Sequence, residues 1–374
     1  MTGAGKISKV SFRPYCLPLR QAWRSAQGDI EQRRGWLIQI QTDDGQLGLG
    51  DCAPLPIAGT ESWRQAQSRL GAMVARLEGR EADSAFAGLD GLMEDGRSHP
   101  ALRCGLEMAL IDLLARRENI PAARWLNPAA ADFVTVNQNG GSLQRMLTDV
   151  SPVSGVLKLK VGLAMVAEEL EQLRELAQRY PAVRFRLDAN QAWRLAEAEQ
   201  FIAGCQDLPV ECIEEPLQKT GAAPDLNALA ALQRRAAFSL ALDESLCALD
   251  WSSLLQAQAV RRVVLKPLRE GGIARVRTMA KQAQVAGMEY VLTTTLDSAV
   301  GVWASVHLAA ALDGYFADVE HKPVHGLATS SWLARDLAPA PEPIPALIME
   351  PVAERIYLPA RPGFGIDLDQ IKID

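Results

Sequence analysis

Between residues 156 and 266, short β-rich runs end one after another in charge. Val156-Leu157-Lys158-Leu159-Lys160 comes first. Leu187-Asp188-Ala189-Asn190, Ile213-Glu214-Glu215-Pro216, Leu242-Asp243-Glu244-Ser245 and Leu265-Lys266-Pro267 follow, and the charges recur every 23 to 29 positions. That interval holds one strand, one helix and two short loops, the repeat of a parallel sheet. After the first run, Val166, Leu170, Leu173 and Leu176 stand at helical spacing. A later helix opens at Gly271-Gly272 and stops at Gly287, a residue suited to the left-handed turn that ends helices. Candidate strands lie at 133–137, 156–161, 183–187, 210–213, 239–242, 262–265, 290–294 and 315–319. Seven or eight such units in about 190 residues indicate an α/β fold of the (β/α) barrel type rather than a doubly wound sheet. In a barrel all of these charges fall at the C-terminal mouth, where such folds place their chemistry.

Side chains on a strand alternate faces, so Lys158 and Lys160 point one way and Leu157, Leu159 and Val161 the other. The simplest reading of such a run is a sheet with one wet face. A parallel sheet covered on both faces removes that outlet. Two ammonium groups side by side then repel until one becomes a neutral amine near pH 7, and a neutral amine is a base. Each acid taken singly suits a helix N-terminus equally well. Three in succession, with lysines before and after, exceed what capping requires. Converging carboxylates without histidine or thiolate suit a hard, oxygen-seeking divalent cation, Mg²⁺ first and Mn²⁺ second. On a barrel wall the two sets of lysines face each other across the cavity. A small-molecule carboxylate bound to the cation would have its α-carbon between two amines, an arrangement for removing an α-proton.

Residues 1–129 read as an α+β unit ahead of the barrel at 130–319. Runs 7–15 and 36–42 look like strands, and Asp43-Asp44-Gly45 turns the chain into Leu47-Gly48-Leu49-Gly50 as a hairpin. The stretch 20–34, with Trp23 and Gly28, reads as a long polar loop, and loops of that length are often functional. Helical patterns run from Thr60 and Ser62 through Leu77, and over 101–116. Residues 320–374 carry Pro339, Pro341, Pro343 and Pro345, then a strand-like Arg355-Ile356-Tyr357-Leu358. They read as a tail that returns to the N-terminal unit.

A net charge of -6 without any Lys/Arg block argues against a nucleic-acid or anionic-membrane partner. The apolar stretch 300–312 is too short to span a bilayer. Six cysteines without C-x-x-C spacing read as buried thiols of a reducing cytoplasm. Four histidines with no H-x-H or H-E-x-x-H pattern nearly close the usual zinc hydrolase routes. His307 reads as a packed or surface residue, and His99, His321 and His325 have no partner at metal spacing.

The ordered set Lys158-Leu159-Lys160, Asp188-Ala189-Asn190, Glu214-Glu215-Pro216, Asp243-Glu244-Ser245 and Lys266-Pro267 resembles the enolase superfamily, in its muconate-lactonising branch. The likeness covers essentially the whole chain. It implies a modified (β/α)₇β barrel under an α+β capping domain built from the N-terminal part and the C-terminal tail. It also implies Asp188, Glu214 and Asp243 as Mg²⁺ ligands, Lys160 as the base on one face of the substrate and Lys266 on the other. Lys158 then stands beside Lys160, and Glu215 and Glu244 pair with or orient the ligands. Three features look most like the o-succinylbenzoate synthases of menaquinone synthesis: the stretch 23–28 leading to Arg33-Arg34-Gly35-Trp36, the run 293–301, and His325-Gly326-Leu327 with Pro362-Gly363-Phe364-Gly365.

The activity this implies is a Mg²⁺-dependent syn dehydration of 2-succinyl-6-hydroxy-2,4-cyclohexadiene-1-carboxylate to o-succinylbenzoate through an enediolate. Asn190, Gly28, Thr294, Thr295 and Ser298 are candidates for contact with that substrate. Threonines stand in the run 293–301 where family members more often carry serines and an acid. Asp318-Val319-Glu320 stands where the dipeptide epimerases of the branch carry D-x-D. Racemisation of an N-succinylamino acid, epimerisation of a dipeptide or lactonisation of a muconate would use the same site. A non-catalytic carboxylate-binding barrel is an alternative of another class.

Overall fold

The computed structural model describes residues 5–25, 28–93, 98–149, 151–316, 322–344 and 354–372. The chain opens with a three-stranded antiparallel sheet of β1 (Ile7–Ser25), β2 (Gly28–Thr42) and β3 (Leu47–Cys52), in that order. The turn at 43–45 joins β2 to β3. Gly45 takes φ 84°, and its N–H donates to the Thr42 carbonyl at 2.9 Å.

The stretch 20–34 departs from the expected loop. Trp23 pairs with Ile30 and Ser25 with Gly28, so the first hairpin extends nearly to its tip, with one register shift between Pro18 and Trp23. An antiparallel partner supplies the backbone hydrogen bonds whatever the side chains are, so polar residues stay in a ladder that period counting does not detect. Pro18 has no N–H to give, and the ladder is interrupted there.

Ile7, Val10, Trp36, Ile38 and Ile40 of this sheet pack with Leu70, Met73, Leu102 and Leu106 to form the core of the cap. The helix Pro100–Arg117 is buried from Pro100 to Ala115 because the cap sheet lies on one side and barrel helices on the other. The strand comes to backbone contact with it. A Cβ on Gly50 would stand 1.9 Å from the Gly105 carbonyl oxygen, and one on Gly48 2.1 Å from that of Ala109. Only glycine permits that approach.

The second unit is a parallel sheet of seven strands, β5 (Gln138–Ser142), β6 (Val156–Lys160), β7 (Arg184–Asp188), β8 (Val210–Glu214), β9 (Ser239–Leu242), β10 (Arg262–Leu265) and β11 (Glu289–Leu292), in chain order. Ser239–Leu242 and Arg262–Leu265 are buried throughout, as strands covered on both faces must be. The sheet curls, and His325-Gly326 links its β11 edge to residues 135–137, just ahead of β5. The Gly326 N–H donates to the Leu292 carbonyl at 2.8 Å, the His325 N–H to that of Thr135 at 2.8 Å, and the Asn137 N–H to that of His325 at 3.0 Å. Those two residues take the place of an eighth strand.

Two strand expectations shift. The expected strand 133–137 is observed as β4 (Phe133–Val136), which pairs antiparallel with β12 (Glu354–Tyr357) of the tail. The partner of β6 is instead β5, whose sequence Gln-Asn-Gly-Gly-Ser carries no apolar alternation to mark it. The strand expected at 315–319 falls mostly outside the described residues. Tyr315 ends the helix Ala299–Tyr315, which stays apolar on all sides to its last turn, and 317–319 lie outside the described residues.

The tail also touches the cap. Leu333 bridges Leu19, and the Phe364 N–H donates to Asp112 Oδ1 at 2.7 Å. All six cysteines are free thiols, but Cys16 and Cys247 are exposed, contrary to expectation. Cys16 occupies the outward position of β1 between buried Tyr15 and Leu17. His307 is buried and accepts from the Ala123 N–H at 3.0 Å. Burial holds its pKa down at about 4, so it stays neutral. His325 accepts from the Leu292 N–H at Nδ1, which leaves the ring proton on Nε2, toward Asp313. His321 lies outside the described residues. Among the described residues, no helix is long and apolar enough to cross a membrane.

Candidate active site

Lys160, Asp188, Glu214, Glu215, Asp243, Glu244 and Lys266 lie at or just beyond the C-terminal ends of barrel strands, and Lys158 lies two residues before the end of β6. Lys158 and Lys160 share the inner face of β6, between buried Leu157 and Leu159. They have different surroundings. The Lys158 ammonium lies 3.0 Å from Asp188 Oδ2 and also donates to Glu214 Oε2. Lys160 reaches the other way and lies 5.4 Å from the Trp23 ring centre. Trp23 in turn meets Trp332 at 5.0 Å, and these residues line a cavity of about 370 Å³ with Gln21 and Ala22. The register shift in the first hairpin accompanies this arrangement, since it separates Gln21, Ala22 and Trp23 from the paired stretch ending at Pro18. Across the mouth, Lys266 donates to Asp243 Oδ2 at 2.8 Å, and Arg269 donates to Oδ1 of the same carboxylate at 2.5 Å.

Asp188, Glu214 and Asp243 are all buried. Burial pushes Glu214 up, with Lys158 opposing it. Burial also works against the Asp243 carboxylate, but Lys266 and Arg269 override it and hold the group well below the usual carboxylate range. The same contest ends the other way round at Lys158. Burial disfavours its ammonium, yet Asp188 and Glu214 raise its pKa, so it stays charged. Burial raises Glu215 to about 7. It accepts from the Asp243 N–H at 2.6 Å, from the Ser245 N–H at 2.9 Å and from the Ser245 hydroxyl at 2.6 Å, and so fixes the backbone that carries Asp243. Glu244 rises to about 8 through burial and the nearby Asp243, Glu215 and Asp188. The backbone is strained at the same strand ends. Asn190, Gln191 and Glu215 take φ of 43°, 64° and 47°, a region that non-glycine residues enter at a cost.

Among the described residues no three acids stand close enough, as placed, to grip one ion. Lys158 stands between Asp188 and Glu214, and Asp243 is drawn to Lys266 and Arg269. The donor chemistry nonetheless fits a divalent cation. All three groups are oxygen donors, all three act on the one Lys158 ammonium, and Asp188 and Asp243 both press on Glu214. Buried carboxylates that repel one another around a common point are the setting a hard cation relieves.

The expected substrate contacts fall in different places. Asn190 is exposed, and its N–H donates to Asp188 Oδ1 at 3.1 Å. Gly28 pairs with Ser25 at the tip of the first hairpin. The Thr294 and Thr329 hydroxyls share a hydrogen bond of 2.9 Å. The Thr295 hydroxyl donates to Asp297 at 2.6 Å and that of Ser298 to Asp51 at 2.8 Å, so both are engaged where cap and barrel join. Three residues at the site went unnoticed in the sequence. Arg186, two positions before Asp188, shares its face of β7 and was open to the alternation argument. Arg269 lies in the first turn after Lys266-Pro267. Trp332 carries no local signal.

Residues 150–372 match the model of the family described as Enolase C-terminal domain-like, and residues 8–113 match that of the MenC N-terminal domain. A chloromuconate cycloisomerase from Cupriavidus pinatubonensis is 27% identical, over 96% of this chain and 95% of its own. An o-succinylbenzoate synthase from Yersinia enterocolitica is 26% identical, over 79% of this chain and 84% of its own. Among solved structures, the dipeptide epimerase from Enterococcus faecalis complexed with Mg and the dipeptide L-Leu-L-Tyr aligns with a TM-score of 0.78 at 21% identity. That alignment covers 97% of this chain and 99% of that one. Members of this family are enzymes, lyases and isomerases among them. With a curled parallel sheet, a separate cap and a family match over more than half its length, the chain belongs to the enolase superfamily.

Proposed function

We propose that the protein dehydrates 2-succinyl-6-hydroxy-2,4-cyclohexadiene-1-carboxylate to o-succinylbenzoate. The observation that carries this reading is the match of residues 8–113 to the MenC N-terminal domain, because that cap supplies the Trp23 that stands over Lys160. The o-succinylbenzoate synthase from Yersinia enterocolitica, similar over most of the chain, supports it.

Asp188, Glu214 and Asp243 would hold Mg²⁺, with Mn²⁺ as a substitute, and the bound cation would supply a Lewis acid at the substrate carboxylate. Lys160 removes the proton α to that carboxylate. Lys266 follows β10, at the far side of the curl from β6, so its charge offsets the negative charge developing at the carboxylate from the other face. Lys160, now protonated, gives its proton to the departing hydroxyl on the same face, and the ring becomes aromatic. Lys158 stays charged on its two carboxylates. Trp23 and Trp332 limit water at the Lys160 amine. Asn190, Thr294 and the hairpin tip at Gly28 are the proposed substrate contacts. Thr295 and Ser298 act at one remove, through Asp297 and Asp51.

A second reading is a 1,1-proton transfer on an N-succinylamino acid or dipeptide, favoured by an amine on each side of the mouth and by the likeness to a dipeptide epimerase. One experiment separates the two. The purified protein is given the cyclohexadiene acid and MgCl₂, and absorbance of the aromatic product is followed. Beside it, both enantiomers of an N-succinylamino acid are incubated in D₂O. Aromatic product is expected. Its absence, together with α-deuteration of both enantiomers, would transfer the assignment to the second reading.

A further inference from the structure

A buried arginine underlies the acids. Arg186 is 1% exposed and sits two residues before Asp188 on β7, so its side chain points into the same interior. The far end of its guanidinium is fixed. Nη1 donates to Asn137 Oδ1 at 3.1 Å, and Nη2 donates to Glu211 Oε1 and to the Val324 carbonyl, each at 2.9 Å. Its Nε is different. It is buried, has no hydrogen-bond partner among the described residues, and lies 4.0 Å from Glu214 Oε1. Glu214 offers its other oxygen, Oε2, to Lys158. The carboxylate is thus held between two cations, one for each oxygen.

Glu211 has a second cation in Arg262, whose Nη1 lies 2.5 Å from the same Oε1, and Arg262 is paired in turn with Glu289 at 2.7 Å. The unpartnered N–H faces Glu214.

We propose that Arg186 is a positioning residue for Glu214. Its Nε–H takes Oε1 and turns Oε2 toward the point where the three acids meet. The contact is about 1 Å longer than an ordinary N–H···O bond, so a small rotation of the glutamate completes it. The inference rests on Glu214 being a metal ligand, as in the function proposed above. Residues that orient ligands typically cost about 10- to 100-fold in metal affinity when removed.

The test is Mn²⁺ binding by calorimetry at pH 7.5, with thermal unfolding in EDTA measured on the same samples. Arg186→Met should bind Mn²⁺ about 10- to 100-fold more weakly than the unaltered protein. Arg186→Lys keeps a charge and should lose less. Glu211→Gln cuts the far anchor and should lower the unfolding temperature while leaving Mn²⁺ affinity within about threefold. Wild-type affinity in Arg186→Lys and in any folded Arg186→Met overturns the inference alone. So does an equal loss of affinity in Glu211→Gln, which would mean that the network acts through general packing. Failure of the unaltered protein to bind Mn²⁺ overturns the functional reading and this inference together.

Discussion

At the scale of single residues, the site divides two neighbouring lysines between two tasks. Lys158 is held charged by Asp188 and Glu214, whereas Lys160 stands over Trp23 in a cavity. On the proposed mechanism Lys160→Ala lowers kcat by about 10²- to 10⁴-fold, the usual contribution of a positioned base. Lys266→Ala removes a fixed charge and lowers kcat by about 10²- to 10³-fold. Mn²⁺ affinity should survive Lys160→Ala, since that amine is no oxygen donor and stands at Trp23. Retention of full turnover by either variant would remove that residue from the mechanism. The sharing of one face by Lys158 and Lys160 is a property of any strand and was legible in the sequence. Which of them meets the acids was not. That depends on Trp23 and Trp332, which arrive from opposite ends of the chain, and no local spacing encodes such a meeting.

At the scale of elements, legibility followed the strength of the local pattern. The βα period came through because each strand from β6 to β11 is separated from the next by a helix. The closing segment failed because two residues, His325 and Gly326, make it, and two residues have no period. β5 failed because its pairing partner, not its composition, makes it a strand. The meeting of β3 with the helix Pro100–Arg117 has a sharp consequence. Gly50→Ala places a methyl group 1.9 Å from the Gly105 carbonyl oxygen, and the obstruction is backbone on both sides. The strand must move or the helix must bend, at a cost of about 1–3 kcal/mol or more. Urea unfolding checks this. A change under about 0.5 kcal/mol would mean that cap sheet and helix are less closely apposed than described.

At the scale of the whole molecule, cap and barrel meet around the start of the helix Ala299–Tyr315, and the joint is rich in buried acid. Arg33 donates to the carbonyls of Leu296, Pro54 and Ala53 at 3.0, 2.9 and 2.6 Å, linking both units through one guanidinium. Asp51 links them again. It accepts from the Tyr15 hydroxyl at 2.6 Å on the cap side and from the Ser298 hydroxyl at 2.8 Å on the barrel side. Burial, then the charge of Asp297, pushes the Asp51 carboxyl from 3.8 up to about 6. A folded pKa above the unfolded one means that the folded chain binds the extra proton between about pH 4 and 6. Stability from this group is therefore present at the low end of that window, falls as pH rises through it and is constant above. The displacement corresponds to about 3 kcal/mol at most. Asp336 at the same helix start rises to about 6 through burial and adds to the slope. Glu211, held at about 2 by Arg186 and Arg262 against its burial, contributes an opposite slope at lower pH. A variant that alters Asp51 alone cancels the Glu211 contribution in the comparison and leaves that of Asp336 governed by its burial, the larger cause there. Asp51→Asn cannot ionise, so its stability deficit relative to the unaltered protein should shrink by about 2 kcal/mol between pH 4.5 and 7.5. Urea unfolding at the two pH values reads this directly. A deficit that stays the same at both would mean that Asp51 carries no extra proton in the fold, and the joint between cap and barrel would then owe nothing to protonation there.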